Sequence, residues 1–456
     1  MQENQEKFVK LVKEKNEGKN LKYSILTMGC QLNENDSEKI AGMLEEMGYS
    51  FISDYQNADL VVFNTCCVRE NAEERLFGKI GEIKKIKESR NVILAIGGCM
   101  MQEENMLNKI KRSYPFVNII FGTHTMQNLP ENIYKSIIKN EKVKDVIDID
   151  GEIYEGLPIK RNSEFKASVT IMYGCNNFCT YCIVPYVRGR ERSREPEKII
   201  EEIKDLAIDG YKEITLLGQN VNSYKGNDKI KNFAELLNEV CKIDGIERVN
   251  FISPHPKDFT DDVIEAIAEN EKISRIIHLP LQSGNTKVLK EMNRKYTKEQ
   301  YLELAEKMKN KIPGIVFSTD IIVGFPGETD EEFEDTLDVV RKVNFEQVFM
   351  FIYSKRDGTV AAAREDQVPE KQKHIRFDKL KELYESKVDE NNEKYLNTEQ
   401  KLLIEGTSKN NIEMLEGRTN TNKVVIFKPN ADNKIGDIVT VKITEAHKWY
   451  LKGEII

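Results

Sequence analysis

The sequence predicts an α/β protein of three domains: an amino-terminal doubly wound α/β domain, a central partial β/α barrel of six units, and a small carboxyl-terminal β-barrel of the oligonucleotide-binding kind. The chain has 456 residues, which is enough for about three domains of ordinary size. Short β-rich runs alternate with amphipathic helical stretches twice, on either side of a polar stretch. The last sixty residues carry only short β runs separated by Gly, Asn and Asp.

The first alternation predicts an open sheet in a domain at 21–145, preceded by an extension at 1–20 and followed by a linker at 146–164. Parallel strands are predicted at 23–27, 60–64, 92–96 and 117–121. Helices are predicted between them at 36–47, 68–87 and 101–112. Because parallel strands end at one shared edge of the sheet, where ligands bind, Cys residues just after three of these strands can converge on one point.

The second alternation predicts the barrel domain, at 165–395. Its strands are predicted at 166–172, 213–217, 248–252, 275–279, 316–322 and 347–353. Its helices are predicted at 197–209, 233–243, 261–270, 297–311 and 329–343, with a long charged helix at 369–397 leaving the domain. Six strand–helix units of this length favour an open or closed β/α barrel over a second small sheet.

The carboxyl-terminal region, at 396–456, predicts a five-stranded barrel from β runs at 402–404, 424–427, 438–443 and 450–454. From residue 398 onward it holds nine Lys or Arg against eight Asp or Glu, on a chain whose net charge is −8. The overall charge excludes a general polycation but allows a local basic groove for nucleic acid.

No apolar run reaches the roughly 18 residues that a membrane span needs. Residues 1–22 lack the apolar core of a secretory signal. We therefore expect a soluble, cytoplasmic protein with no membrane partner. In that compartment, eight Cys favour metal binding or redox chemistry over disulfides, and the five His form no pair at ligand spacing.

The strongest motif is the run Gly174-Cys175-Asn176-Asn177-Phe178-Cys179-Thr180-Tyr181-Cys182, directly after the first barrel strand. Three thiolates at this C-x3-C-x2-C spacing can hold three corners of a four-iron cluster, whose usual ligand is Cys. The fourth iron is then open to a small molecule, as a cluster that carries out chemistry requires. Zinc is the alternative, but zinc sites are usually closed by four N or S ligands. No further Cys or His lies within twenty residues.

With this loop opening a six-unit β/α domain, the sequence resembles the radical S-adenosylmethionine superfamily. The resemblance implies that Cys175, Cys179 and Cys182 hold a [4Fe-4S] cluster, and that S-adenosylmethionine on the open iron is cleaved to a 5′-deoxyadenosyl radical. The run Leu217-Gly218-Gln219-Asn220 matches the family after strand two. Ordinary barrel packing is the alternative for each implied cofactor-binding residue. Those residues lie at or just beyond the ends of strands one to five and are Tyr181, Gln219, Ser253, Gln282 and Asp320.

A second set of three Cys lies in Met28-Gly29-Cys30-Gln31-Leu32-Asn33, Asn64-Thr65-Cys66 and Gly97-Gly98-Cys99. These segments resemble the amino-terminal domain of the methylthiotransferases. The resemblance implies an auxiliary [4Fe-4S] cluster on Cys30, Cys66 and Cys99 that carries sulfur destined for the product. Buried free Cys is the alternative. Cys67 and Cys241 match no ligand position. Because Cys67 adjoins Cys66 at the start of a helix, we expect its side chain to point elsewhere.

Beside the Cys loop, alternate positions are occupied by Arg188, Arg190, Arg192 and Arg194. In an extended segment, alternate side chains project to one side. We predict a stripe that contacts RNA phosphates or the cofactor carboxylate, since Arg binds both bidentately. A solvated charged strand is the alternative.

Among the methylthiotransferases, this sequence resembles the branch that acts on N6-isopentenyl-adenosine at position 37 of tRNA. The resemblance rests on the 29–33 and 64–72 runs and on the Arg-Gly-x-Glu-x-Ser-Arg pattern at 188–194. Residues 417–420 and 436–437 resemble the RNA-binding TRAM domain. The departures are Leu32, where Met is more usual, and Cys67, where a small residue is usual.

The resemblance implies a transferase that adds a methylthio group to C2 of the base. One S-adenosylmethionine methylates sulfur on the auxiliary cluster, and a second gives the radical that abstracts the C2 hydrogen. The implied partners are the tRNA anticodon stem-loop and an electron-donor protein, and the enzyme is expected to be a monomer. Two alternatives remain open. One is the same chemistry on threonylcarbamoyl-adenosine 37 or on an Asp of a ribosomal protein. The other is a noncatalytic iron–sulfur or zinc RNA-binding protein.

Overall fold

The computed structural model describes residues 3–67, 71–147 and 153–456. Its architecture confirms the predicted fold class: a doubly wound sheet, a partial β/α barrel and a small closed β-barrel follow one another along the chain. The start of the helix predicted at 68–87 and the middle of the linker predicted at 146–164 lie outside the described residues. In the described part of the chain, no helix is long and apolar enough to cross a bilayer.

The amino-terminal unit is a parallel sheet whose order within the described residues is β2-β1-β3-β4-β5-β6. The strands are β1 (Lys22–Thr27), β2 (Ser50–Phe51), β3 (Leu60–Thr65), β4 (Ile93–Gly98), β5 (Ile119–Phe121) and β6 (Val143–Asp145). The helices are α1 (Glu3–Asn16), α2 (Gln31–Glu46), α3 (Asn71–Ser89), α4 (Glu104–Ser113) and α5 (Leu129–Ile138). The sequence did not indicate α1, β2 or β6. Edge strands of two or three residues are too short to show a period, whereas β3 is buried along its whole length.

The sheet tolerates no side chain at Gly97, near the end of β4. A Cβ at this position would lie 2.1 Å from Cζ of Phe121 on β5. We expect Gly97→Ala to destabilise the sheet by roughly 1–3 kcal/mol, because the ring or the strand must shift. Gly78→Ala is the matched control. Nothing lies within 4 Å of a Cβ built at Gly78 in α3, so the change should stabilise the helix by about 0.5–1 kcal/mol. Amide hydrogen exchange along β4 and α3 measures the change in stability caused by each substitution. Equal protection of the β4 amides in the two variants would contradict the expectation.

The central unit contains six parallel strands in two groups of three, ordered β11-β10-β7 and β12-β13-β14. The two groups adjoin through a parallel bridge between Val249 and Ile273. The strands, with a short antiparallel pair β8–β9 after the first, are β7 (Lys166–Thr170), β8 (Met172–Tyr173), β9 (Arg192–Ser193), β10 (Glu213–Leu217), β11 (Arg248–Phe251), β12 (Ile276–His278), β13 (Val316–Val323) and β14 (Gln347–Ile352). The helices are α6 (Val184–Val187), α7 (Pro196–Ile208), α8 (Phe233–Cys241), α9 (Asp261–Glu269), α10 (Thr286–Glu291), α11 (Lys298–Lys311), α12 (Asp330–Val343) and α13 (Glu370–Glu393).

The carboxyl-terminal unit is a closed barrel in the order β15-β16-β17-β19-β18. Its strands are β15 (Glu399–Ser408), β16 (Asn411–Arg418), β17 (Val424–Phe427), β18 (Ile438–Ala446) and β19 (Leu451–Ile455). It packs on the central unit, where Ser274 Oγ donates to the Asn420 carbonyl at 2.8 Å and Arg248 donates to the Arg418 carbonyl at 3.1 Å.

Helix α2 joins the amino-terminal unit to the first barrel strand. Asn35 on α2 donates to the Ser168 carbonyl at 3.1 Å and accepts from the Thr170 hydroxyl at 2.9 Å, both on β7. Arg161 bridges Glu38 on α2 at 3.2 Å and Glu202 on α7 at 2.7 Å. These polar contacts hold α2 of the amino-terminal unit against β7 and α7 of the central unit.

Candidate active site

The Cys loop after β8 is held in shape by its contact with residues 189 and 190. Gly174 has φ +77°, and a Cβ there would lie 2.0 Å from the Arg190 carbonyl oxygen, so only glycine fits. The backbone N–H of Cys175 donates to the Gly189 carbonyl at 3.1 Å. Cys175 and Cys179 are buried and Cys182 is half-buried. Burial raises the pKa of Cys175 to about 11 and that of Cys182 to about 12, so metal binding must displace their protons.

Arg294 lies against the Cys loop, and the sequence did not reveal it as a residue of the site. Its Nη1 lies 3.5 Å from Cys179 Sγ, and its Nε donates to the Tyr296 hydroxyl at 3.0 Å. Burial opposes its charge, but interaction with Tyr296, Tyr181 and Cys179 leaves the pKa of Arg294 well above its ordinary value. It is a buried cation against a thiol of the loop, 115 residues away along the chain.

The five predicted cofactor-binding residues all lie at the carboxyl face of the barrel. Tyr181 packs against a buried cluster that includes Phe325 and Tyr353, and Gln219 accepts a hydrogen bond from the backbone N–H of Gly174. Asp320, within β13, lies 3.3 Å from His278 Nε2. Ser253 is exposed just after β11.

Two of these positions are strained, which is common at functional sites. Ser253 has φ 58° and Gln282 has φ 68°, in the left-handed region that side chains rarely adopt. Among the described residues, no hydrogen-bond partner reaches the buried Oε1 of Gln282 or the buried Nε2 of His255. Burial lowers the pKa of His255 to about 2, so this ring is neutral. The orphaned polar atoms fit a site that binds a polar ligand.

The second thiol set lies at the ends of β1, β3 and β4. A Cβ at Gly29 would lie 2.8 Å from Cys66 Sγ, so the backbone before Cys30 passes directly against the Cys66 side chain. Gly98, before Cys99, has φ +94°, and a Cβ there would lie 2.4 Å from the Thr65 carbonyl oxygen. The glycines therefore allow three strand ends to approach one another, as predicted from the sheet edge.

Asn33, on the first turn of α2, connects these strand ends. Its amide nitrogen donates to the Met28 carbonyl at 2.8 Å and to the Thr65 carbonyl at 2.9 Å. Its backbone carbonyl accepts from the Asn64 side chain at 2.8 Å. The sequence predicted this helix from residue 36, whereas α2 begins at Gln31, directly after Cys30. The earlier start brings Asn33 into the site.

Comparison with known proteins adds the family. The Radical SAM superfamily model matches residues 169–340, the model of Uncharacterized protein family UPF0004 matches 22–122, and the TRAM domain model matches 393–456. A tRNA-2-methylthio-N(6)-dimethylallyladenosine synthase of Clostridium tetani is 54% identical over 434 residues, covering 95% of this chain and 96% of the relative. A relative of the same name from Thermoanaerobacter pseudethanolicus is 50% identical over 99% of this chain and 96% of its own length. The chain belongs to the tRNA-2-methylthio-N(6)-dimethylallyladenosine synthase family.

Solved structures show the same fold at much lower sequence identity. The radical S-adenosylmethionine methyltransferase TsrM from Kitasatospora setae, with tryptophan and a SAM analogue bound, superposes with a TM-score of 0.54 at 15% identity. The match covers 75% of each chain. A second structure of TsrM, with cobalamin and a [4Fe-4S] cluster, gives a TM-score of 0.55.

Within this synthase, the predicted arginine stripe is wrong as a geometry. Residues 184–194 are not extended: they form α6, a turn at Gly189 and the two-residue strand β9. Arg194 is buried and bonded to Glu155 and to Glu202 at 2.8 Å, which leaves no free face for RNA. Arg188 is also buried, against Asp36. Arg190 lies over the Phe178 ring at 4.3 Å. Because part of the segment is helical and two of its Arg side chains pair with carboxylates inside the protein, the alternate positions do not share one exposed face.

The expectation that Cys67 points away from the thiol site is also wrong. Its buried side chain packs against Cys99 together with Ile183 and Val187 of the central unit. Interaction between these two buried thiols lowers the pKa of Cys99 and raises that of Cys67. Both side chains of the Cys66–Cys67 pair therefore remain near the sheet edge, because the chain turns after β3 instead of continuing as a strand.

In the described ranges, no three Cys, His, Asp or Glu side chains are arranged to hold a single metal ion. A four-iron cluster is larger than one ion and takes its thiolates from farther apart. Each thiol set supplies three Cys, the usual ligand of such clusters, on backbone that glycines allow to pack closely. The residues therefore fit the iron–sulfur chemistry of the radical SAM family.

Proposed function

We propose that the chain is a tRNA methylthiotransferase that adds a methylthio group to C2 of N6-isopentenyl-adenosine at position 37 of the anticodon loop. The observation that carries this proposal is the identity of 50% or more with synthases of that name over nearly the whole chain. The two docked thiol sites support it, because the reaction needs both a radical source and a sulfur source. The enzyme then acts in the cytoplasm, as a monomer supplied by an electron-donor protein.

The proposal assigns two [4Fe-4S] clusters and S-adenosylmethionine. Cys175, Cys179 and Cys182 would hold the first cluster, and the auxiliary cluster would be held by Cys30, Cys66 and Cys99. The cofactors supply the radical and the sulfur, which no side chain can provide, because an aromatic C–H is not acidic enough for deprotonation near pH 7. The chain itself binds, orients and excludes water.

The barrel face would hold S-adenosylmethionine through the five residues at its strand ends. Asp320 and the unpartnered Gln282 amide oxygen offer acceptors for an amino or hydroxyl group. Arg294 and the neutral His255 lie deeper, against the Cys loop and the Tyr296 ring. A charged cofactor among these groups would be bound by charge-assisted hydrogen bonds, which are stronger than neutral ones.

The RNA would contact the outer surface of the β-barrel and of the Cys-loop region. Trp449, next to Lys448 on the barrel, is 63% exposed. Exposed aromatic and basic side chains of this kind stack on and neutralise single-stranded RNA, where bases are read individually. The slight basic excess of residues 398–456 favours the same surface.

Asp320→Asn and Gln282→Ala are expected to weaken S-adenosylmethionine binding about tenfold each, roughly 1.4 kcal/mol, because the first removes a half-buried negative charge and the second removes a buried acceptor. Equilibrium binding to the anaerobic holoenzyme measures the dissociation constant. Glu306→Gln, an equivalent change on the exposed side of α11, is the control and should bind normally. Unchanged affinity after substitution at all five strand-end positions would exclude this cofactor site.

Nucleoside analysis tests the activity. The chain is expressed in a host whose own isopentenyl-adenosine methylthiotransferase gene is deleted, and digested tRNA is analysed by mass spectrometry. We expect 2-methylthio-N6-isopentenyl-adenosine to reappear. Methylthiolated threonylcarbamoyl-adenosine would show that this nucleoside is the substrate instead. A methylthiolated ribosomal-protein Asp with unmodified tRNA would show that the substrate is the ribosomal protein. If neither tRNA nor ribosomal protein gains the group, the catalytic proposal is wrong.

A further inference from the structure

Arg188 reaches from the central unit into the thiol site of the amino-terminal unit. It directly follows α6 and is 4% exposed. Its Nε lies 3.1 Å from Cys99 Sγ, its Nη2 lies 2.7 Å from Asn33 Oδ1, and its Nη1 lies 2.8 Å from Asp36 Oδ2. Cys99 is 89 residues away in sequence, so only the docking of the two units creates this contact.

The three contacts use all three nitrogens of one planar group. A guanidinium bonded to a sulfur, an amide oxygen and a carboxylate cannot rotate without breaking at least one bond. Its Nε–H is therefore held towards Cys99. Lysine, with one ammonium nitrogen on a flexible stem, could keep the charge but could not hold these three acceptors in the same fixed arrangement. The geometry selects Arg for a directional contact to a ligand sulfur.

We propose that Arg188 is a positioning residue that raises the reduction potential of the auxiliary cluster by donating an N–H bond to the Cys99 sulfur and placing a buried positive charge beside it. This inference rests on the proposed function, which assigns Cys30, Cys66 and Cys99 to that cluster. Hydrogen bonds to cluster sulfurs and nearby charge are established determinants of such potentials.

The direction of the effect follows from electrostatics. One-electron reduction adds a negative charge to the cluster, and a cation with an N–H at the ligand sulfur stabilises that charge. Asp36 offsets part of the positive charge, but it binds Nη1, whereas the sulfur is bound at Nε. Because Arg188 is buried, solvent screens the interaction weakly. Loss of Arg188 therefore favours the oxidised cluster and lowers the potential.

The test isolates the auxiliary cluster in the full-length chain. In a parent variant carrying Cys175→Ala, Cys179→Ala and Cys182→Ala, the reconstituted protein should retain only this cluster, and iron and sulfide analysis establishes its loading. An EPR-monitored redox titration then gives the midpoint potential. We introduce Arg188→Gln into that parent and compare the two proteins at the midpoint potential of the parent. We expect the ratio of oxidised to reduced cluster to rise at least tenfold, which corresponds to a decrease in midpoint potential of about 59 mV or more.

Two further variants in the same parent complete the test. Arg194→Gln removes another buried Arg of the same segment, one whose bonds go to Glu155, Glu202 and the Thr170 carbonyl, and it should change the ratio less than twofold. Arg188→Lys keeps the charge without the fixed Nε–H and should give an intermediate potential. If the Arg188→Gln protein does not bind iron, the midpoint potential of the Arg188→Lys protein tests the inference instead.

The outcomes separate this inference from the proposed function. A parent that binds no iron or sulfide overturns the assignment of the auxiliary cluster, and the inference with it. A loaded parent with a loaded Arg188→Gln variant of equal midpoint overturns the inference alone. The same holds if Arg188→Lys, taken as the deciding variant, has the parent potential. Loss of iron from both Arg188 variants, with Arg194→Gln fully loaded, would show that Arg188 assembles the site instead of tuning it.

Discussion

Cys179→Ala is expected to abolish formation of 5′-deoxyadenosine from S-adenosylmethionine. The loop supplies only three thiols, so loss of one leaves the cluster with two protein ligands. Cys179 is the thiol that Arg294 contacts, at the centre of the loop. We expect a decrease in cleavage rate of at least about a thousandfold, roughly 4 kcal/mol of activation free energy. Reductive cleavage assayed by chromatography of deoxyadenosine gives the rate, and iron analysis shows whether the auxiliary cluster remains.

Cys241→Ala is the matched control for this substitution. Cys241 is a buried Cys at the end of α8, within the central hydrophobic core. It should lose a little stability but retain cleavage. Deoxyadenosine formation by the Cys179→Ala protein at the control rate would refute the assignment of the loop. A protein without any iron would instead indicate that the two thiol sites assemble together.

Cys66→Ala is expected to separate cleavage of S-adenosylmethionine from methylthiolation. The variant should still cleave S-adenosylmethionine, because Cys175, Cys179 and Cys182 are untouched. Methylthiolation should fall by at least about a hundredfold, since even the loss of a residue that only orients a metal ligand costs metal sites about 10–100-fold. Product nucleoside and deoxyadenosine are counted in the same reaction, so that each variant supplies its own internal standard.

Cys67→Ala is the neighbouring control, and we expect it to retain methylthiolation. The control is demanding, because Cys67 lies against Cys99 inside the same site. If Cys67→Ala eliminates the product nucleoside while Cys66→Ala spares it, Cys67 is the ligand. If neither substitution matters, the chain carries no functional auxiliary cluster.

The sequence predicts the parts of this molecule that depend on local periodicity. The buried strands β3 and β10 are apolar runs bounded by turn residues, and each lies within one residue of its predicted range. The placement of three Cys after three parallel strands follows from topology alone. This placement, together with the resemblance to the methylthiotransferases, allowed the second thiol set to be predicted, even though Cys30 and Cys99 are 69 positions apart in the sequence.

What the sequence could not reveal depends on distant contacts. No local pattern marks Arg294, and the pattern that marks Arg188 predicts an exposed stripe, whereas the fold buries each of the two side chains against a thiol. The prediction from the alternating arginines failed for the same reason. Alternate side chains share one face only in an extended chain, whereas Gly189 turns this segment back onto the Cys loop. Short edge strands such as β2 carry too few residues for any period.

Helix α2 has a consequence for how such enzymes can diverge. Helix α2 carries Asn33, which spans the strand ends at the thiols. The same helix carries Asn35, Asp36 and Glu38, whose partners lie between residues 161 and 188. The amino-terminal unit is therefore not an interchangeable module. A chimera that exchanges residues 21–145 between relatives keeps both partners of these contacts only if residues 161–194 come from the same relative. We therefore expect functional recombinants between relatives to keep the two segments together.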